Sequence, residues 1–291
     1  MPFLHHSSFI IHHFLLLFLV CSSARVAAAS PSPVELLRGA PHRILVLNHP
    51  RLYSAPNLKA RAEATEWSAG ATVSWTDLKT EDLAAIWVKV KYKGREGWLP
   101  DACLAIPAAE GVPGRIGDER VDRWAGLAPD YKPADLVPVG PGYEPDRQYR
   151  LRKEAAVALK EMFAAAKTDS VKLLVVSGYR AWETQQDLYQ RRCDASGLGQ
   201  QTVAKPGHSE HQLGTAVDLT DGDDEKTLEE SFGDTRAGQW LKANAWRYGF
   251  AISFTPQNKA RTGIAPEPWH YRYWGKANAR QRHMEALGAA K

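Results

Sequence analysis

Cysteine is scarce in this chain, with three residues in 291, at Cys21, Cys103 and Cys193. That number is too small for a disulfide framework and leaves no cluster of thiolates to build an all-cysteine metal site. Cys103 and Cys193 stand far apart, and two isolated cysteines read as small buried apolar side chains; a bridge between them in an oxidising compartment stays open. A strong charge of one sign is also missing: 37 Lys and Arg against 33 Asp and Glu leave a formal net charge of +4, too small and dispersed for a nucleic-acid partner. Near the N-terminus, the apolar run Phe14 to Val20 falls well short of the roughly 20 residues that span a bilayer. Lys and Arg are absent before Arg25, so the leader has only its amino terminus and histidines such as His5 and His12 ahead of the run. Small residues ending in Ala27, Ala28 and Ala29 follow, which reads as a secretory signal over 1–29, cleaved after Ala29. Leu19 and Val20 before Cys21 are too bulky for a lipoprotein site.

Two compositions follow the leader. Residues 41 to 105 carry short β-type runs, "RILVL", "ATVSW", "IWVKVKY" and "EGWL", separated by polar turns such as Lys93-Gly94. Alternation in "IWVKVKY" predicts Ile86, Val88, Val90 and Tyr92 on one face and Trp87, Lys89 and Lys91 on the other. A Gly-, Pro- and Ala-rich stretch without periodicity then reads as a linker over 107–117. Beyond it, Leu151, Ala155, Leu159, Met162 and Ala166 follow helical spacing, "VKLLVV" and "FAISF" read as strands, and "AWETQQDLYQRR" and "GQWLKANAWRYG" as amphipathic helices. Helices and strands mixed without a βαβ repeat predict an α+β domain over 118–291, with a small antiparallel sheet and flanking helices, preceded by a small all-β unit over 38–106.

The chemistry concentrates in two stretches. "GHSEHQLGTAVDL" holds His211 and Asp218 seven apart, with Gly214 and Ala216 between them to let the backbone turn sharply. "PEPWHYRYWG" sets Glu267 and His270 three apart across Pro268. Catalytic zinc needs a few imidazole or carboxylate ligands, an open position, and a nearby carboxylate that is not itself a ligand. Two histidines, an aspartate and a spare glutamate meet that need.

These stretches also resemble a known family. "SEHQLGTAVD" fits S-x-H-x-x-G-x-A-x-D and "EPWH" fits E-x-W-H, the paired signatures of the VanY-type zinc D-alanyl-D-alanine carboxypeptidases. "SGYRAWETQ" is similar to that family's S-G-Y-R-[ST]-x-x-x-Q segment, with Ala181 where a small hydroxyl residue is usual. The resemblance implies one zinc ion held by His211, Asp218 and His270. It implies Glu267 as the carboxylate that moves the proton and Arg180 as the group on the substrate carbonyl. Ser209, Gln185 and Tyr179 fall at the family's peptide contacts. Upstream, "IWVKVKYKGREGWLPDACL" resembles the C-terminal part of bacterial SH3-like domains, which accompany cell-wall enzymes and contact wall peptides or brace their neighbour. The implied function is hydrolysis of the terminal D-alanine of peptidoglycan stem peptides, D,D or L,D, by an exported protein of the periplasm or cell wall. A crosslink endopeptidase and a non-catalytic wall-binding protein are the alternatives.

Other residues are set aside. The acidic stretch Asp221, Asp223, Asp224 and Glu225 lacks calcium-loop spacing and reads as solvated. His208 reads as either a residue that orients a ligand or an exposed loop histidine. His42, His49 and His283 are expected at the surface.

Overall fold

The computed structural model describes residues 42–80, 86–106, 116 and 119–289. The leader over 1–29, the start of the β unit and all of the linker but residue 116 lie outside them. The N-terminal part is an antiparallel β unit: β1 (Arg43–Leu45), β2 (Leu52–Tyr53), β3 (Ala62–Glu63), β4 (Thr72–Thr80), β5 (Ile86–Tyr92), β6 (Arg95–Pro100) and β7 (Leu104–Ala105), in the order β3-β2-β6-β5-β4-β1-β7. Lys93 and Gly94, both at positive φ (48° and 74°), close the β5–β6 hairpin, the backbone that a two-residue turn between twisted strands requires. Of the face that alternation predicts, Ile86, Val88 and Val90 are buried and Tyr92, at the strand end, is half-buried. Trp87 departs from the pattern: it is buried on the other face because Tyr53 packs edge-on against it, centroids 5.2 Å apart.

Beyond the linker the chain mixes helices with small sheets. A hairpin of β8 (Leu136–Val139) and β9 (Tyr149–Arg152) leads into α1 (Lys153–Thr168), β10 (Leu174–Ser177), α2 (Trp182–Ser196) and β11 (Ala216–Thr220). Then come α3 (Arg236–Asn244), β12 (Phe250–Ile252), a single turn α4 (Lys259–Thr262), β13 (His270–Tyr273) and α5 (Lys276–Ala286). Strands pair antiparallel in the order β10-β11-β13-β12, the α+β arrangement expected. Ala155, Leu159, Met162 and Ala166 form the buried stripe of α1, each removing apolar area from water at about 25 cal/mol per Å². Leu151 shares that spacing but belongs to β9, paired with Val137, so the helix begins two residues later than its apolar period suggests. "VKLLVV" pairs only from Leu174, and "FAISF" leaves the sheet after Ile252 because Asn258 takes the carbonyl of Ser253.

All the described residues belong to one compact unit, Ser32–Lys291. The apolar core of the β unit runs on into the second region: Leu45, Val73 and Leu104 share a cluster with Trp124, Trp182, Tyr189 and Cys193. Cys103 and Cys193 are both buried and free, and desolvation pushes the Cys103 thiol up to about 12. His283, expected at the surface, is 3% exposed, because the one buried face of α5 carries it inward with Ala279 and Ala286. No helix among the described residues is long and apolar enough to cross a membrane.

Candidate metal centre

Strand register assembles the site. β11 is the central strand, buried along its whole length. Asp218 on it stands opposite His270 of β13 on one side and Ser177 of β10 on the other. Opposed residues in a ladder project to the same face, so a carboxylate, an imidazole and a hydroxyl share one surface of the sheet. His211 reaches the same place from a short 3-10 turn, Glu210–Leu213, capped by the Ser209 hydroxyl, which accepts the His211 amide at 3.4 Å. Gly214 ends that turn at φ +71°, a left-handed backbone that a side chain disfavours and that sends the chain directly into β11.

His211, Asp218 and His270 form a buried group whose ligand atoms all lie within 4.8 Å of one another. His211 Nε2 lies 3.1 Å from Asp218 Oδ2, and His270 Nδ1 lies 3.0 Å from Asp218 Oδ1. The remaining nitrogens are committed outward. His211 Nδ1 is 2.7 Å from the Gly178 carbonyl, so it carries the proton and leaves Nε2 for an ion. A Cβ at Gly178 would fall 2.5 Å from the Arg150 carbonyl, which explains a glycine where this strand end is pressed so close. His270 Nε2 lies 3.0 Å from Glu210 Oε2. Donor set, burial and oriented second nitrogens fit a three-ligand zinc centre with a position left open.

Nothing in the sequence singles out Glu210. Its carboxylate takes the Ser253 hydroxyl at 2.6 Å and Arg272 at 3.2 Å besides His270. Arg272, 1% exposed, also donates to the Glu119 carbonyl at 2.7 Å. The chain signal was present only as a charge at the variable position of S-x-H; its partner lies 60 residues downstream and meets it only through the sheet. Replacing Glu210 by Gln is expected to weaken zinc binding about 10- to 100-fold, the usual cost of losing such an orienting partner, read by competition with a chromogenic chelator.

Burial disfavours charge throughout, and hydrogen bonding decides the direction. Desolvation alone would lower His270, but its bonds to Asp218 and Glu210 raise it to about 10. Desolvation raises Asp218 and Glu210, yet His211 and His270 hold Asp218 far below the carboxylate range, and His270 with Arg272 brings Glu210 down to about 2. In the metal-free protein the His270 contribution to stability is therefore full below its ordinary 6.5 and is lost as pH rises through about 10. That of Glu210 is full above 4.5 and is lost as pH falls through about 2. A metal at Nδ1 must expel the His270 proton. Zinc uptake at pH 9, above the Glu267 value of about 8, is expected to release about one proton, with apparent affinity rising about tenfold per pH unit from about 8 to about 10 and more steeply below 8, where Glu267 also gives up its proton; titration calorimetry in buffers of different ionisation enthalpy reads this directly.

Glu267 sits beside the ligands without joining them. A turn in which the His270 amide donates to the Glu267 carbonyl at 3.0 Å brings its carboxylate to 3.7 Å from His270 Nδ1. Burial pushes this carboxyl up to about 8, against the pull of His270. Arg180 lies across the site, 3.9 Å from Asp218, its Nη2 donating to Ser177 at 2.9 Å and its Nη1 to Gln185 at 2.7 Å. Gln185, expected to touch the peptide, is 1% exposed and has both amide atoms in use, Nε2 donating to the Ala204 carbonyl. It aims Arg180 instead. Tyr179 is half-buried beside Arg180; Ser209 is buried, capping the 3-10 turn. The acidic stretch at 221–225 stays largely in solvent, and the described residues contain no second metal-ligating group.

Comparison with known proteins bears on this geometry. Residues 148–276 match the family described as "VanY: D-alanyl-D-alanine carboxypeptidase". "Putative carboxypeptidase YodJ" of Bacillus subtilis (strain 168) is 40% identical over 165 residues, covering 55% of this chain and 60% of that protein. A "D-alanyl-D-alanine carboxypeptidase" of Enterococcus faecalis (strain ATCC 700802 / V583) is 35% identical over 140 residues, 44% of this chain and 50% of that protein. This chain thus spans between half and three fifths of these two relatives. Among solved structures, the LdcB LD-carboxypeptidase aligns with a TM-score of 0.53 at 35% identity, covering 59% of this chain and 85% of that one.

Proposed function

Because residues 148–276 belong to the family of VanY D-alanyl-D-alanine carboxypeptidases, we propose that this protein is an exported zinc carboxypeptidase that removes the terminal D-alanine from peptidoglycan stem peptides. The observation that carries the reading is the buried His211–Asp218–His270 group with Glu267 3.7 Å from one ligand and in no bond that marks it as a ligand itself.

Zinc, when bound, would activate a water at neutral pH and draw electrons from the scissile carbonyl. The residues of the chain do the rest. Glu267 accepts a proton from the attacking water and returns it to the leaving amine. Arg180, held at both terminal nitrogens, meets the negative charge that grows on the carbonyl oxygen without having to reorganise. Phe254 packs against the His270 ring at 4.9 Å and shields it from solvent. The β unit is read as SH3-like, in keeping with a wall-associated enzyme.

Glu267 must be ionised to act, so kcat/KM is expected to fall as pH falls. The acid limb should lie between 4.5, the ordinary carboxyl value, and the metal-free value of about 8, because the charge of zinc pulls the carboxyl down. The reading itself is tested by incubating zinc-loaded protein with synthetic stem pentapeptide and tetrapeptide and following released alanine by mass spectrometry. Trimming of the pentapeptide means D,D and of the tetrapeptide L,D specificity. Cleavage of neither, by protein holding zinc, rejects the carboxypeptidase reading in favour of an endopeptidase or a wall-binding protein.

A further inference from the structure

The loop that presents His211 is gripped from outside the sheet. Lys205, six residues before the ligand and 9% exposed, directs its ammonium at three acceptors of the β unit: Asp101 Oδ2 at 2.9 Å, the Leu104 carbonyl at 2.8 Å and the Asp101 carbonyl at 3.3 Å. An ammonium has three donors, and all three find acceptors between residues 101 and 104. His208, three residues before the ligand and 5% exposed, accepts the Ile106 amide at Nε2 (3.0 Å) and faces the Asp122 carbonyl with Nδ1 (2.7 Å). An amide can only donate and a carbonyl only accept, so the ring is neutral with its proton on Nδ1. A Cβ on Gly126 would lie 2.9 Å from His208 Nε2, so the ring packs directly against the backbone at this glycine. On the far side of the ligand, Gln212 is fully buried and donates to the carbonyls of Ala128 and Tyr131.

We infer that the β unit is a structural part of the metal centre, with Lys205 and His208 as positioning residues through which residues 101–106 fix the loop that carries His211. The inference rests on the zinc reading above. It gives the β unit a role in catalysis whether or not its outer face meets the wall.

The test uses the full chain with Lys205→Met and His208→Ala, and Gln190→Ala as control. Gln190 accepts the Asn48 amide at 2.9 Å, so it spans the same junction away from the loop. Two readouts separate the possibilities: zinc affinity with the cobalt(II) absorption spectrum, and amide hydrogen exchange over residues 207–214 in metal-free protein. Both loop variants are expected to lose 10- to 100-fold in zinc affinity, to change the cobalt spectrum and to exchange faster at 207–214. The control should melt earlier with affinity, spectrum and loop exchange unchanged. His208→Gln, which keeps an acceptor and a donor, should recover part of the loss and serves if His208→Ala does not fold. Loop variants with wild-type exchange and affinity overturn the inference while leaving the zinc reading intact. A wild-type protein that takes up neither metal overturns the zinc reading first and the inference with it.

Discussion

Glu267→Gln is expected to keep its zinc and lose about 10²- to 10⁴-fold in kcat, the range a positioned proton-transfer group contributes. Glutamine has the same shape but no basicity, so the side chain can still fill its place between Pro266 and Pro268. The ligands are untouched, since the carboxylate stands 3.7 Å from His270 Nδ1 and the three ligand atoms form their group without it. The substitution also has a signature on stability. The folded carboxyl titrates near 8, above its ordinary 4.5, so burying its charge costs stability from pH 4.5 upward, increasingly to about 8. Metal-free Glu267→Gln should therefore melt higher than wild type at pH 8 and about equally at pH 4. Released alanine, bound zinc by elemental analysis and melting curves at the two pH values check the three parts. Turnover within tenfold of wild type would remove Glu267 from the mechanism.

Arg180→Ala is the second large effect, about 10²- to 10³-fold in kcat, as for the loss of one donor to a developing oxyanion. Its loss should fall on kcat and kcat/KM together, with KM little changed, because the charge it meets exists only in the transition state. Zinc affinity should hold or tighten, since a cation 3.9 Å from Asp218 repels a second cation in the same pocket. That opposite sign separates Arg180 from a residue that merely supports the fold. Arg180→Lys keeps the charge and loses the fork that Ser177 and Gln185 hold, so it should recover little. Gln185→Ala should show the same pattern at smaller size, because Gln185 acts through Arg180. Steady-state kinetics on the stem peptide with chelator competition reads both constants.

What the sequence made legible and what it hid follow from distance along the chain. His211, Asp218, His270 and Glu267 stand in short stretches whose residue types carry the chemistry locally, and strand alternation found the faces of β5. The failures involve partners far away. Trp87 is covered by Tyr53, which alternation within one strand cannot anticipate. Gln185 looked free for substrate because the Ala204 carbonyl that occupies it lies across a loop. His283 looked exposed on a polar helix with a single buried face. The glycine- and proline-rich stretch marks a change of composition but says nothing of the packing across it, where Trp182 and Tyr189 of α2 extend the core of the β unit and the Tyr189 hydroxyl donates to the Ala102 carbonyl.

The pairing of Asp218 with His270 has a consequence for how the protein comes to be active. The two ligands are 52 residues apart in sequence and meet only when β11 and β13 have found their register. A shift of one residue would turn Asp218 to the opposite face and divide the ligand set. Non-local strand pairing forms slowly, after its loop-closure entropy has been met. Before then the chain offers an ion only scattered imidazoles and carboxylates. An ion held by this ligand set would therefore not template the fold as zinc does in a zinc finger; it would be captured by a finished sheet and then make that sheet harder to undo, by an amount set by free metal concentration. In that order of events the chain would fold first and acquire its metal last, so activity would report completed folding.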